Sequence, residues 1–267
     1  MANQHVSSHK VWARTNSFRN NSPTPPPATS TILNRKNQSK MTQPEQDRFK
    51  VAIQTINSAG LFGQIVAIHA QMKHRMHSME GPIGTQRFLP WHRVYLYEFE
   101  QALQAHDPQV TVPYWDWTSD GFPQWLQDFT PTVVVNGHPI TVVRQLGVLV
   151  PSLPTQQQLG VVTQQTNFTT FTTPAYDNQN NVAPYGLEGL HNTVHNWIGG
   201  TMANIPTAPA DPIFWLHHAN VDRIWDSWQK NNPNQNPNLV GADAIMDPWQ
   251  FNETDTRSTT NFGYVYV

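Results

Sequence analysis

The sequence predicts a mainly α-helical bundle with a small peripheral β-hairpin and long loops. The clearest helical pattern lies at 212–228, where apolar residues recur at intervals of three and four. This stretch begins with a proline after Asp211, a pair that favours a helix start. The stretch 132–143 has a different pattern, two short runs of β-branched residues (132–135 and 140–143) separated by Asn136-Gly137, which favours a tight hairpin turn.

The N-terminal segment differs from the rest of the chain. Residues 1–30 are polar and rich in proline, which disfavours regular structure, so we expect them to be disordered. The folded domain is expected to span 31–267. Its first helix should follow a capping box of Thr42 and Glu45 and end near Gly60.

Two further helices each carry a histidine on their apolar side. A helix that begins near Leu61 has His69 in its apolar stripe, and a later helix presents His92 inward. Glycine and proline at 81–84 predict a loop between them. Beyond the hairpin, a capping box at Thr155 opens another short helix.

Composition indicates a protein that binds small molecules. With 267 residues the chain can bury one sizeable core. Only 13% of the residues are charged and the formal net charge is −2, which gives no basic surface for nucleic acid and no polybasic patch for a membrane. No apolar run approaches the roughly 20 residues of a membrane span, and the N-terminus has no signal-peptide core. We therefore expect a soluble protein, either cytoplasmic or exported with a partner.

Histidines cluster in the second half of the chain. His191 and His195 are four residues apart, so in a helix they share one face about 6 Å apart and can converge on a metal ion. His217 and His218 follow on the helix at 212–228, where the spacing puts His218 inside. A pair of histidines at this spacing also occurs by chance, but the same pair followed by a His-His pair on a capped aromatic helix is far more specific.

These residues resemble the second copper site of the tyrosinase, catechol oxidase and hemocyanin family of binuclear copper proteins. The run 88–93 (Phe-Leu-Pro-Trp-His-Arg) is similar to the end of that family's first copper site, and 112–117 (Val-Pro-Tyr-Trp-Asp-Trp) is similar to another family block. The resemblance covers about 31–267. It implies two copper ions, each held by three histidines: His92 is the third ligand of the first site, and the second site uses His191, His195 and His218, with His217 beside it.

The first copper site departs from the family pattern in its middle ligand. His69, 23 residues before His92, fits the first ligand. The usual middle position, nine residues before the third ligand, is Ile83, which cannot bind copper, so residues are inserted in this loop. His77 is the preferred middle ligand and His74 is the alternative. Eight positions of helix would separate His69 and His77 by about 12 Å, so the helix must end or bend between them.

The chain contains no cysteine. It therefore has no disulfide and no thiolate metal ligand. It also cannot form the Cys-His thioether that many fungal, plant and molluscan relatives carry beside the first copper, which favours a bacterial-type member. Six neutral imidazoles suit copper or zinc, and the resemblance favours copper.

The resemblance implies oxidation of small phenolic substrates with O₂ as co-substrate. The favoured activity is that of a tyrosinase, which hydroxylates monophenols in the ortho position and oxidises o-diphenols to o-quinones. The alternatives are a catechol oxidase or o-aminophenol oxidase without the first step, and a hemocyanin-like O₂ carrier. A copper chaperone is a further partner to consider, and the oligomeric state stays open.

Four more residues have expected roles near the copper ions. Asn192 and Glu188 are expected to hold a water that deprotonates the incoming monophenol. Ile205, ten residues after His195, matches the family's gate position over the second copper. Asp222 is expected to hold the free ring nitrogen of a ligand, with a surface salt bridge as the alternative.

Overall fold

Helices dominate residues 32–174 and 186–267, the parts of the chain that the computed structural model describes, and the predicted mainly α fold is confirmed. The helices α1 to α7 within these parts are Gln43–Ser58, Leu61–His69, Pro82–Gln104, Gln156–Thr163, Phe168–Thr172, Leu187–Ile198 and Pro212–Asn231. The strands β1 to β4 are Leu33–Arg35, Thr132–Val135, His138–Thr141 and Tyr264–Tyr266. The expectation for residues 1–30 lies outside the described residues, and the limits of the domain stay a prediction.

The long helices α3 and α7 form the centre of the core. Phe99 of α3 stacks on Trp215 of α7 with ring centroids 3.7 Å apart, and both side chains are fully buried. Asp211 caps α7 as predicted, because its carboxylate accepts a hydrogen bond from the backbone N–H of Ile213 at 3.1 Å. The same carboxylate accepts two hydrogen bonds from Arg144, which fixes the start of α7 to the segment after the hairpin.

Two predicted boundaries are wrong. The stretch 82–84 was expected in a loop, but α3 begins at Pro82, directly after Gly81 with its φ of 89°. Proline suits the first helical position because its missing N–H would have no helical partner there. Strand β3 begins at His138 and not at 140, because the two-residue turn, with φ of 50° and 83°, pairs Val135 with His138 immediately.

The two ends of the folded part meet in a second small sheet that the sequence did not predict. β1 pairs in parallel with β4, and Leu33 lies opposite Tyr264. Arg35 follows in β1, fully buried, with its guanidinium carbon 3.5 Å from the centroid of the Tyr264 ring. This pairing brings the chain's last residues against the core beside α3 and α7.

No single helix in the described ranges is long and apolar enough to cross a bilayer. The pair α1 and α2 meets the length and composition criteria only when joined, and an 89° bend separates the two helices.

Candidate metal centre

Two groups of buried or nearly buried histidines lie side by side in the core. Within each group, one ring nitrogen from every residue lies within 4.8 Å of the others. The rings of His92 and His218 stack across the boundary with centroids 4.4 Å apart. The first group is His69, His77 and His92, and the second is His191, His195, His217 and His218. The structure thus brings together all six predicted ligands, with His217 as an additional neighbour.

Four helices and one irregular segment carry these side chains. α2 ends at His69, which agrees with the expected break, and His92 lies on the buried face of α3. His77 lies between them in extended backbone flanked by two 3₁₀ turns. α6 carries His191 and His195 on one face, and α7 carries the His-His pair.

His74, the alternative middle ligand, lies outside the first group. Its side chain is 2% exposed, and its Nδ1 is hydrogen-bonded to the carboxylate of Asp247. The ring stacks on Trp91 at a centroid distance of 6.1 Å. The geometry therefore favours His77 over His74 as a member of the centre.

Backbone carbonyls fix the tautomer of three rings. Nδ1 of His69 lies 2.9 Å from the carbonyl oxygen of Ile205, and Nδ1 of His92 lies 2.7 Å from that of Phe88. A carbonyl oxygen only accepts, so each Nδ1 carries the proton and each neutral ring keeps a lone pair on Nε2. His195 follows the same rule, with its Nδ1 donating to the carbonyl of Met202 at 2.7 Å.

The resulting lone pairs converge where a cation would sit. Nε2 of His69 and Nε2 of His92 are 3.3 Å apart, and neither carries a proton when both Nδ1 atoms do. Two lone pairs at this distance repel each other, and a positive ion between the rings removes the conflict. The donor set therefore fits a metal ion held by imidazole nitrogens, which suit copper and zinc.

The second group has the same character. Nδ1 of His191 donates to Oδ1 of Asn192 at 3.0 Å, which leaves Nε2 of His191 facing Nε2 of His218 at 3.1 Å. Nε2 of His195 is buried and has no hydrogen-bond partner among the described residues. This unpaired buried nitrogen, beside the facing Nε2 atoms of His191 and His218, again fits a bound metal ion.

Burial keeps the histidines neutral, as metal ligands must be. Burial, reinforced by repulsion from the neighbouring His195, lowers the pKa of His77 to about 3, and burial lowers the pKa of His195 itself to about 4. The pKa values of the other five rings are held well below the usual histidine value by burial and then mainly by nearby histidines; these are His69, His92, His191, His217 and His218. Protons therefore compete weakly with a metal ion at neutral pH.

A cavity of about 320 Å³ opens over the two groups. Its volume lies at the small end of the range for ligand pockets, which suits a single-ring substrate. Four of the histidines reach its wall, and polar and apolar side chains complete the lining. The lining consists of His69, His77, Ser78, Met79, Glu188, His191, Asn192, His195, Asn196, Met202, Ala203 and Ile205.

Glu188 is held at the edge of this cavity by a residue that the sequence did not single out. Its Oε1 accepts hydrogen bonds from both the backbone N–H and the hydroxyl of Ser78, each at 2.9 Å. Its Oε2 is buried and has no hydrogen-bond partner within the described ranges. Burial raises the pKa of Glu188 to about 7, and the hydrogen bonds from Ser78 oppose that rise. The carboxyl group is thus poised to exchange a proton near neutral pH.

Asp222 does not hold a histidine ring, contrary to expectation. One of its carboxylate oxygens accepts from Arg93 and the other accepts from the hydroxyls of Tyr264 and Tyr266 at 2.7 and 2.5 Å. Nδ1 of His218 has no hydrogen-bond partner in the described parts of the chain. Asp222 is also buried, so the alternative of a surface salt bridge fails as well. Its role is to join α3, α7 and β4.

The ring-orienting groups that sequence reasoning missed are mostly backbone carbonyls. Those of Met202 and Ile205 belong to one loop, yet they bind one histidine from each group. Every residue has a backbone carbonyl oxygen, so the residue types in the sequence do not reveal which carbonyls orient a histidine ring. Only the spacing from His195 pointed to Ile205, and it did so for the side chain.

Comparison with known proteins agrees with this geometry. The family model described as the common central domain of tyrosinase matches residues 59–141 and 135–231. The chain belongs to the tyrosinase family. Its members hold a binuclear copper site, and the two adjacent histidine groups fit that site.

The tyrosinase-family relatives include enzymes from Streptomyces. The chain is 33% identical over 264 residues to the tyrosinase of Streptomyces glaucescens, a match that covers 80% of this chain and 92% of the relative. It is also 33% identical over 261 residues to the grixazone synthase of Streptomyces griseus, with 74% and 85% covered. A functional unit of octopus hemocyanin shares the fold with a TM-score of 0.66 and 20% identity, over 88% of this chain and 68% of that one.

Proposed function

We propose that this protein is a tyrosinase, which uses two copper ions and O₂ to hydroxylate monophenols in the ortho position and to oxidise o-diphenols to o-quinones. The observation that carries the proposal is the pair of adjacent histidine groups, in each of which two Nε2 atoms face each other, beneath a cavity of about 320 Å³. The tyrosinase relatives, matched over most of their length, support the same activity.

The copper ligands in this proposal are three histidines at each site. His69, His77 and His92 hold the first ion, and His191, His195 and His218 hold the second. Two bound copper ions supply the redox chemistry that activates O₂ and accepts two electrons from the diphenol. The protein keeps the rings neutral and oriented, and the carbonyls of Ile205, Phe88 and Met202 are the groups that orient them.

Glu188 and Asn192 serve the monophenol in this proposal. A phenol has a pKa near 10, like tyrosine, so a positioned base is needed to remove its proton at neutral pH. Oε2 of Glu188 is free of other hydrogen bonds and can accept that proton, directly or through a water. Asn192 lines the same cavity, although its Oδ1 also accepts from Nδ1 of His191.

Ile205 narrows the cavity in this proposal through its side chain, which is part of the lining. Its carbonyl is already committed to His69, so the loop that carries Ile205 is fixed close to the first group. Substrates are small phenols that fit this cavity, whose lining also includes Met79. The expected copper chaperone and the soluble state remain predictions.

The test is to load the purified protein with copper, count the metal, and compare rates on tyrosine, tyramine and L-DOPA. A tyrosinase is expected to bind two copper ions per chain and to act on all three. Oxidation of L-DOPA without hydroxylation of the monophenols would replace this reading with a catechol oxidase or o-aminophenol oxidase. Two copper ions with O₂ binding but no turnover would indicate a hemocyanin-like carrier.

A further inference from the structure

The position of His77 is not fixed by any helix. α2 ends at His69 and α3 begins at Pro82, so the ligand lies in an irregular segment of twelve residues, 70–81. One residue of this segment, Arg75, has a φ of 46°, a conformation that non-glycine residues rarely adopt. Such a segment keeps one conformation only if tertiary contacts hold it.

Two of the buried side chains that hold this segment, those of His74 and Arg87, meet at Asp247. Nδ1 of His74 donates to one carboxylate oxygen of Asp247, and Nη2 of Arg87 donates to the other. Arg87 also donates from Nε to the backbone carbonyl of His74 at 2.9 Å. The carboxylate of Asp247 thus fixes His74 twice, once through its ring and once through the guanidinium that binds its backbone.

The segment around Asp247 is itself fastened to α3. Nη1 of Arg87 donates to the carbonyls of Asp243 and Ile245, each at 2.6 Å. Nε1 of Trp91 donates to the carbonyl of Asp247 at 2.7 Å. The segment 243–247 therefore acts as a clamp that joins the first half of α3 to the segment carrying His77. More than 160 residues separate 243–247 from 70–81 in sequence.

The clamp touches the rings around the first copper site. Trp91 contacts His69 with centroids 6.1 Å apart and His92 with centroids 5.1 Å apart. The ring of His74 lies against the same indole. In contrast, the second group is carried by α6 and α7, and the hydrogen bonds of the clamp do not reach those helices in the described structure.

We propose that Asp247 is a positioning residue of the first copper site, which holds His77 in ligating geometry through His74 and Arg87. The proposal rests on the proposed assignment of His77 as a copper ligand. It makes the copper affinity of the first site depend on a carboxylate that touches neither metal nor substrate. The second site keeps its affinity without that carboxylate.

The test compares Asp247→Ala and Asp247→Asn with the wild-type chain, each loaded with copper sulfate and then titrated with EDTA. Loss of an outer partner of a metal ligand typically lowers metal affinity about 10- to 100-fold. We expect one copper ion per chain to leave at an EDTA concentration lower by about that factor, while the other leaves as in the wild type. The remaining single Cu(II) should then give an EPR signal that a coupled pair does not.

Variants of His74 test whether this residue positions the segment that carries His77 or binds copper itself. In His74→Asn the side-chain amide keeps an N–H donor near the place of Nδ1, so it should retain both copper ions better than His74→Leu does. If His74→Asn instead loses one copper as completely as His77→Ala, His74 is a ligand and the positioning role is wrong. If His77→Ala retains both copper ions, the ligand assignment fails, whatever Asp247 does.

A matched control checks for a general loss of stability. Asp116 and Arg223 form another ion pair between a loop and a helix, at 3.0 Å, and Arg223 lies on α7. Asp116→Asn should leave the copper titration unchanged, even if it lowers the melting temperature as much as the Asp247 variants do. The proposal is overturned if Asp247→Ala binds both ions as tightly as the wild type, or if it loses both ions together.

Discussion

The carbonyl oxygen of Ile205 accepts a hydrogen bond from Nδ1 of His69 at 2.9 Å, although 136 residues separate the two in sequence. The same residue turns its side chain to the cavity. Ile205 therefore combines two functions that a substitution can separate, because only the side chain changes while the carbonyl remains.

Ile205→Ala is expected to widen the cavity and leave two copper ions per chain. The ratio of rates on a bulky phenol and on a small one should rise by about tenfold, the typical effect of a few missing methyl groups in a pocket. Steady-state kinetics on L-DOPA and on a larger catechol measure this, and Ile205→Val should give a smaller step in the same direction. Loss of copper from Ile205→Ala would mean that the side chain, and not the carbonyl, holds His69.

Glu188→Gln is expected to lower the rate on tyramine roughly 10- to 1000-fold while the rate on L-DOPA changes little, because only the monophenol needs a strong base. Glutamine can still accept from Ser78, so the fold around the site is kept. Asn192→Ala is expected to impair both activities, since it also removes the partner of Nδ1 of His191. Equal loss of the two rates in Glu188→Gln would assign Glu188 a structural role instead.

His218→Ala is expected to remove about one copper ion per chain, whereas His217→Leu should retain both. Nε2 of His218 faces Nε2 of His191 at 3.1 Å, while the ring of His217 lies stacked on that of His191 with centroids 4.9 Å apart. Metal analysis of the two reconstituted variants measures the difference. The opposite result would make His217 the ligand and His218 its neighbour.

Gly84→Ala is expected to weaken the first copper site and to destabilise the chain by more than about 1 kcal/mol, the usual range for an overpacked site. A Cβ at Gly84 would lie 1.9 Å from the carbonyl oxygen of His77, so α3 and the His77 backbone would have to separate. The control is Gly160→Ala in α4, where the new Cβ meets nothing within 4 Å apart from its own stretch of helix backbone. That change should stabilise the chain by about 0.5–1 kcal/mol, as alanine does in helices. Thermal unfolding of both variants, with copper analysis of Gly84→Ala, tests the pair.

Glu98→Gln is expected to stabilise the protein at pH 8 and to have little effect near pH 4. Burial raises the pKa of Glu98 to about 8, and its Oε1 is buried without a hydrogen-bond partner in the described structure. The folded chain therefore keeps a proton that the unfolded chain releases above its own pKa of about 4.3, so this carboxyl lowers stability progressively as the pH rises from about 4 to 8.

Glu100 on the same helix provides the control for Glu98. Its carboxylate accepts from Arg35 at 3.0 Å and from the backbone N–H of Val112 at 2.6 Å. Glu100→Gln should therefore destabilise the protein, because it leaves the buried guanidinium of Arg35 without the closer of its two carboxylate partners, the other being Asp222 at 3.7 Å. Melting temperatures from pH 5 to 8 measure both variants. A pH-independent effect of Glu98→Gln would contradict an unpaired, protonated carboxyl group.

The sequence by itself determined most of the helices and which of them carry histidines. Asp211 and the capping box at Thr42 mark helix starts through contacts within a few residues, and both signals were right. The i, i+4 spacing of His191 and His195 works in the same way, since helical geometry alone places the two rings on one face. These features depend on interactions between residues close together in sequence, so the sequence alone was enough to predict them.

The tertiary structure decided which side chains from distant segments contact these helices and histidines. The sequence left His77 and His74 as alternatives because both follow the same helix, and the fold separates them by giving His74 a carboxylate partner 173 residues away. It likewise assigned Asp222 to Arg93 and two tyrosines, where helical spacing had suggested His218. A hydrogen bond between distant segments depends on how α3, α7 and the C-terminal strand pack, and no spacing within one segment encodes it.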